Sequence, residues 1–394
     1  MIDFKEKVKV VITCFDRNSP YLAEELRALG FEPTNEERTA VEVMASFEEC
    51  MVLNLHLRTA SHVLYPIATF SLPHVKDLYR QVKSIPWEEI LDIEGYFSVT
   101  SNVQNDSVDN PLFVNVKVKD AIVDRFRDKY SKRPNSGSDF LGAVFTLFWR
   151  LNEATLYINT SGETLSKHSY RKVPGMAPML ESLASSVILA SGWDRRSPFV
   201  NPMCGSGTLA IEAALMASNR FPGLYRDEFA FMHITGYDDK DYRQLKKQVY
   251  LQVDDNNPPT IIASDYSQRA INAARMNAET AGVDHLIQFE TCDFKETTLP
   301  QESGGILIFN PEYGQRMGEI EDLGLVYREI GDFMKQNGAG YKGMVFTGNL
   351  ALGKQVGLKP ARKIPFFSGQ LDCRLFTYEL YQGSKRGDFQ EGAK

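Results

Sequence analysis

Apolar and polar positions along this chain alternate in two textures, and the elements they predict divide it near residue 176. In the first half, KVKVVITC reads as a strand. SPYLAEELRALG then predicts a helix with Ser19 as N-cap, Leu22, Leu26 and Leu29 on one face, and Gly30 as its stop. FEPTNEERTAVEVMA continues this βα pattern, ECMVLNLHLRTASHVLYPIATF reads as helical, and VKDLYRQVKSI follows it. YFSVTSNV and LFVNVKV predict strands, DAIVDRFRDKY a helix, and SKRPNSGSD a loop before two closing strands, FLGAVFTLFWRL and EATLYINTS. SGETLSKHSYRKVPG has the composition of a linker. Beyond it the chain settles into a regular alternation of strand and helix. MAPMLESLASSVILASG, TLAIEAALMASNR and SQRAINAARMNAETAG predict helices, while PFV, TIIASD, LIQFETCD, GGILIF and GMVFTGN predict buried strands. ARKIPFF and CRLFTYELY pair as a closing hairpin at a sheet edge.

Composition narrows the classes. A chain of 394 residues holds two or three domains of about 100 to 200 residues each, and 43% hydrophobic content supplies ordinary cores. No apolar run approaches the roughly 20 residues of a membrane helix, and MIDFKEKVKVVITCF lacks a secretory pattern, so no membrane partner and a cytoplasmic chain are expected. The five cysteines and six histidines fall into no disulfide or ligand spacing, so no metal is expected. A net charge of -7 argues against nucleic acid gripped over the whole surface, though not against a local basic face.

Two motifs carry chemistry. NPMCGSGTLAIEAA, from Asn201, follows PFV and turns through Gly205 and Gly207 into a helix, which brings a ligand against backbone N–H groups. The loop lacks the lysine of a GxxxxGK[ST] loop and the spacing of GxGxxG, so phosphate is not its obvious ligand; a plain tight turn would look the same. Asp265, at the end of TIIASD, suits both hydroxyls of a ribose. Asp293, after IQFETC, suits an adenine amino group, with Tyr266 or Phe294 to stack on the ring. Each aspartate is also suited to capping a helix or forming a turn. NPEYG, from Asn310, offers the Asn310 side-chain oxygen and the Pro311 carbonyl to an exocyclic amine, and the Tyr313 ring to an extruded base. Such stacking is worth about 1 to 3 kcal/mol in single-strand binders. The same five residues would also make a polar β-turn.

On these residues the second half resembles class I S-adenosylmethionine-dependent methyltransferases that methylate amines through a [DN]PP[YF] motif. NPMCGSGTLAIEAA, SGETL, NAETAGV, NPEYGQRMGE and LDCRLFTYEL, with CFDRNSPYLAEELRALGF in the first half, resemble more narrowly the THUMP-domain RNA guanine-N2 methyltransferases. These include the bacterial 23S ribosomal RNA enzyme and related transfer-RNA enzymes, and are often labelled adenine-specific DNA methylases.

The resemblance implies an α/β fold. A Rossmann-like class I methyltransferase domain with a seven-stranded sheet over 166–394 would follow a ferredoxin-like part over 1–50 and a THUMP RNA-binding domain over 51–165. It implies S-adenosylmethionine as cofactor and RNA as partner, 23S rRNA first and tRNA as an alternative. Asn201, Pro202, Gly205 and Gly207 would line the methionine end of the cofactor. Asp265 would bind its ribose and Asp293 its adenine. Asn310, Pro311 and Tyr313 would hold the target amine and base, and Arg316 would touch RNA phosphate or cap a helix.

The chain departs from the family pattern at three positions. Asn201 stands where an aspartate is usual, Ser267 where a second acid is usual, and Glu312 where the second proline is usual. Glu312 loosens the loop relative to proline, and its carboxylate suits guanine N1–H and N2–H. RNA contacts are expected from Lys167, Arg171 and Lys172 around Tyr170, and from the run of Lys117, Lys119, Arg125, Arg127, Lys129, Lys132 and Arg133. Interleaved Asp120, Asp124 and Asp128 equally make that run a salt-bridged solvent face. Two other functions remain open: an adenine-N6 DNA methyltransferase, and a non-catalytic RNA-binding homologue with a degraded motif.

Overall fold

The computed structural model describes residues 5–106, 108, 110–175, 178–301, 304–314 and 317–381. It falls into two compact units, Met1–Ser169 with Phe221–Gln252, and Tyr170–Arg220 with Val253–Lys394.

The first unit begins β1 (Val8–Cys14), α1 (Ser19–Ala28), β2 (Pro33–Glu37), β3 (Ala40–Ala45), α2 (Phe47–His56), β4 (Ala60–Ser71) and α3 (Leu78–Lys83). It continues through β5 (Tyr96–Gln104), α4 (Pro111–Tyr130), β6 (Asn135–Gly137), β7 (Ala143–Arg150) and β8 (Glu153–Asn159). The eight strands form one sheet in the order β2-β3-β1-β4-β8-β7-β5-β6, so the first four strands and the last four share a continuous ladder through β4 and β8.

Four expectations fail in this unit for local reasons. The segment read as one long helix from Glu49 breaks after His56. A capping box starts the helix: the Ser46 hydroxyl accepts from the Glu49 N–H, and the Glu49 carboxylate accepts from the Ser46 N–H. From Ala60 the β-branched and aromatic residues pair with β1 and β8 instead. LFVNVKV is not a strand but the first turns of α4. Asn110 caps it by accepting from the Leu112 N–H, Pro111 opens it, and Val114, Val118, Ala121 and Ile122 are buried at helical spacing. The cap of α1 is Asn18, and Ser19 lies inside the helix. The segment SGETLSKHSYRKVPG is not an exposed linker, since Ser161, Leu165, Ser166 and His168 are all buried.

The second unit opens with α5 (Glu181–Ser191), β9 (Phe199–Pro202) and α6 (Thr208–Ala217). The chain then leaves it. Residues Phe221–Gln252, with α7 (Asp239–Tyr250), pack into the first unit, although the sequence places 166–394 in one domain. The remainder is β10 (Ile261–Asp265), α8 (Gln268–Thr280), β11 (Ile287–Thr291), β12 (Ile306–Phe309), α9 (Met317–Asn337), β13 (Lys342–Thr347), α10 (Leu350–Gln355), β14 (Arg362–Ser368) and β15 (Leu371–Glu379). The sheet has the expected seven strands, ordered β11-β10-β9-β12-β13-β15-β14. The first five run parallel, and the closing hairpin is antiparallel. Strands buried on both faces explain the unbroken apolar runs PFV, TIIA and ILIF. Among the described residues no helix is long and apolar enough to cross a membrane.

Candidate active site

The two motifs leave adjacent strands at the same end. β9 pairs in parallel with β10 and with β12, so the loops after Pro202, Asp265 and Phe309 all start from carboxyl strand ends, on either side of the point where strand order reverses. Asn201, fully buried, ties β9 to β12: its amide donates to the Ile308 carbonyl at 3.0 Å. Its Oδ1 is buried without a hydrogen-bond partner among the described residues.

The glycine turn needs its glycines for different reasons. Gly205 (φ +57°) requires the left-handed region, while a Cβ there would meet nothing within 4 Å. Gly207 (φ +84°) also lies against α8, and a Cβ would come within 2.8 Å of the Ala274 Cβ. Asp265 braces the turn: Oδ2 accepts from the Gly205 N–H at 3.0 Å and Oδ1 from the Ser267 N–H at 2.9 Å. Each carboxylate oxygen keeps a further lone pair for a ligand hydroxyl. Tyr266 beside it is exposed.

Asp293 is exposed, and its Oδ1 accepts from the Lys295 N–H at 3.0 Å, the capping role open to it from sequence. Phe294 is corrected. Its ring is buried edge-on against Phe309 at 5.9 Å and Phe333 at 6.1 Å, because an apolar ring after a strand end gains more from the core than from a wet crevice.

In NPEYG the loop is held by its backbone. The Tyr327 hydroxyl donates to the Glu312 carbonyl at 3.1 Å, and the Asn349 amide donates to the Tyr313 carbonyl at 3.1 Å. The Glu312 side chain is exposed, and Pro311 is buried. The Tyr313 hydroxyl donates to Asn310 Oδ1 at 2.7 Å, and the ring lies 6.4 Å from that of Phe346. Burial pushes the Tyr313 phenol well above its ordinary range, so the hydroxyl stays a donor.

The basic residues divide. Lys172 is exposed in this unit, Lys167 is exposed in the first, and Arg316 lies outside the described residues. Arg171 is turned inward, with its guanidinium on Glu181 at 3.0 Å, the Met179 carbonyl at 2.7 Å and the Ser206 hydroxyl at 3.2 Å. Its charge is already matched, so it is not a free RNA contact. Glu181, Tyr327 and Asn349 belong to none of the sequence motifs, and Asn277 opens NAETAGV, where the sequence gives it no role of its own. Asn277 gives one signal, a polar residue within the apolar face made by Ile271, Ala274 and Ala278.

The bases of the run from Lys117 to Arg133 are paired in part, more by acids from outside α4 than by the interleaved ones. Arg125 and Lys129 both donate to Glu88, Arg127 to Asp124, and Lys132 lies 3.6 Å from Glu94. The hydrogen bonds from Arg125, then from Lys129, hold the Glu88 carboxyl down to about 2 from 4.5. A carboxyl lowered on folding stabilises the folded state above its unfolded value, and that contribution is lost as pH falls through the folded one. The first unit should therefore lose stability between about pH 4.5 and 2. In Glu88→Gln this part of the pH dependence should vanish, as read by circular-dichroism melts across that range.

Comparisons with known proteins agree with this architecture. A family described as "RMKL-like, methyltransferase domain" matches residues 168–377, "RlmL ferredoxin-like domain" matches 9–64, and "THUMP domain" matches 74–159. The chain is 36% identical over 375 residues to a protein named "Ribosomal RNA large subunit methyltransferase K/L" from Syntrophotalea carbinolica, covering 92% of this chain and 52% of that relative. The chain thus spans about half the length of the K/L relatives it matches. It is 33% identical to the Synechocystis sp. protein named "Putative RNA methyltransferase slr0064", over 91% of this chain and 93% of that one. A solved structure from Listeria monocytogenes, titled as a predicted N6-adenine-specific DNA methylase, superposes with a TM-score of 0.84 at 28% identity, over 95% of this chain and 97% of that one.

Proposed function

This chain belongs to the family of RMKL-like methyltransferase domains joined to THUMP and RlmL ferredoxin-like domains, and we propose that it methylates the N2 amine of a guanosine in RNA. The methyl donor is S-adenosylmethionine, the RNA is 23S rRNA, and the work is done in the cytoplasm. One observation carries the reading: the glycine turn and NPEYG extend from the same ends of neighbouring parallel strands.

The residues present fit the cofactor. The space over Gly205 is open, Asp265 keeps acceptor capacity for ribose hydroxyls, and the buried Asn201 Oδ1 is an unsatisfied acceptor suited to an ammonium donor. Asn201, Pro202, Gly205 and Gly207 would hold the methionine end, Asp265 the ribose, and Asp293 with Tyr266 the adenine. When bound, the group supplies a sulfonium methyl whose carbon–sulfur bond breaks as the carbon–nitrogen bond forms, leaving a neutral thioether.

The chain's part is to make the amine reactive. An exocyclic amine is a weak nucleophile because its lone pair is delocalised into the ring. Asn310 Oδ1 and the Pro311 carbonyl take its two hydrogens, which turns the lone pair outward, and the Tyr313 ring supports the base. After transfer the nitrogen sheds one proton to solvent. Lys167 and Lys172, each exposed in its own unit, are available to RNA phosphates.

Tritium transfer from labelled S-adenosylmethionine tests this directly. Label should appear in 23S rRNA as N2-methylguanosine and not in duplex DNA. Label in DNA as N6-methyladenine would favour the activity in the Listeria protein's title. RNA binding without cofactor binding would favour a non-catalytic homologue.

Glu312 bears on guanine recognition. Its side chain is exposed, and the loop is held through its carbonyl, which a proline would retain. Glu312→Pro should therefore keep turnover within about threefold, the scale of a surface substitution, in a steady-state transfer assay. A collapse would mean that the carboxylate reads the guanine edge.

A further inference from the structure

We propose that Arg171 and Asn277 are positioning residues that fix the cofactor loop through Ser206, an inference that rests on the methyltransferase reading above. The loop from Met203 to Gly207 holds three residues at positive φ, two of them glycines, and such a backbone is costly to order unless something outside it fixes its conformation. Ser206 lies between the two glycines, is buried, and is tied at both of its polar ends. Its hydroxyl accepts from Arg171 Nη1 at 3.2 Å, and its carbonyl accepts from Asn277 Nδ2 at 3.2 Å.

Both tethers are themselves anchored. Arg171 Nε donates to Glu181 Oε1 at 3.0 Å and Nη2 to the Met179 carbonyl at 2.7 Å, so three arms of one rigid fork are aimed by the fold. Asn277 spends its whole hydrogen-bonding capacity: Oδ1 accepts from the N–H groups of Lys172 and Val173, both at 2.9 Å, and Nδ2 also donates to the Val173 carbonyl at 2.9 Å. The strand of chain from 171 to 173 is stitched to α8 and to the loop together. It continues past Ser206, where a Cβ on Gly175 would lie 3.6 Å from the Ser206 Cβ. A buried ion pair is weak support for stability in itself, because desolvation offsets its attraction. A third donor aimed at a loop hydroxyl gives the Arg171–Glu181 pair a second role: it presets the turn that receives the methyl donor.

Calorimetric titration of the full chain with S-adenosylmethionine tests this. Ser206→Ala removes the Arg171 acceptor without stranding a charge, and Arg171→Lys keeps the charge on Glu181 but loses the fork. Each should raise the dissociation constant about tenfold, the scale of one hydrogen bond to a charged group. The double variant should be no weaker than the worse single one, because both act through the same contact. Affinity for a 23S rRNA transcript should stay within about twofold of wild type in all three. Unchanged cofactor affinity in both single variants, or additive losses in the double one, would overturn the inference while leaving the methyltransferase reading intact. Lost RNA affinity with cofactor affinity retained would return Arg171 to the RNA contacts and overturn it equally. A wild-type chain that binds no S-adenosylmethionine would remove the methyltransferase reading, and this inference with it.

Discussion

Asn310→Ala is expected to cut single-turnover methyl transfer about 10³-fold while leaving the dissociation constant for S-adenosylmethionine within about twofold of wild type. The separation follows from the fold. Asn310 stands at the end of β12, whereas the turn proposed to hold the cofactor follows β9 and is braced by Asp265 and Asn277. Removing the amide takes one of two acceptors from a nucleophile that is weak without them. The Asn310 Oδ1 atom already accepts from the Tyr313 hydroxyl at 2.7 Å, so the amine must use its second lone pair or displace the hydroxyl. Tyr313→Phe keeps the ring and removes that competitor, so it should keep turnover within a few-fold, while Tyr313→Ala should raise KM for RNA by losing the stacking surface. Wild-type turnover in Asn310→Ala would refute the amine-holding mechanism.

The second half was legible because its signals are local and mutually consistent. Apolar runs bounded by glycine or a polar residue became parallel strands, and SQRAINAARMNAETAG became the helix α8, which the Ser267 hydroxyl caps. LFVNVKV failed because β-branched residues favour strands only weakly, and the Asn110 cap with a buried stripe at helical spacing overrode them. The run from Glu49 to Phe70 failed because an apolar segment has the same composition whether its residues line a helix or a doubly paired strand. Of the site, the strand-end motifs could be read from their own residues. The commitment of Arg171 to Glu181 and Ser206, and of Phe294 to the core, could not, since each depends on partners supplied by distant elements. Nor could the return of Phe221–Gln252 to the first unit. An excursion between the helix α6 and the strand β10 of an α/β alternation looks in sequence like any long loop.

That return carries the largest expected effect on stability: residues 1–169 alone should fail to fold as the first unit does in the full chain. Phe229, Phe231, Ile234, Tyr242 and Val249 are buried in the hydrophobic core of that unit. The rings of Phe229 and Phe231 stack at 5.1 Å, with Tyr242 edge-on to Phe231 at 5.3 Å. The backbone is joined as well, since the Phe231 N–H donates to the Thr160 carbonyl and the Thr235 N–H to the Ile90 carbonyl. Arg226 donates to the carbonyls of Ser161, Glu163 and Thr164. Removing the segment would expose the apolar surface beneath it and strand those carbonyls. Truncating one ring, Phe231→Ala, should cost about 3 to 5 kcal/mol, a large share of the roughly 5 to 15 kcal/mol that separates folded from unfolded states. The tryptophans provide the readout. Trp87 and Trp149 lie in the core of the first unit and Trp193 in the second, so urea unfolding of a Trp193→Phe background reports the first unit alone. Phe231→Ala should move that transition to lower urea, residues 1–169 should show no cooperative transition, and fusing 221–252 to their end should restore one. A cooperative transition for 1–169 at the full-chain midpoint would mean that the core closes without the inserted segment.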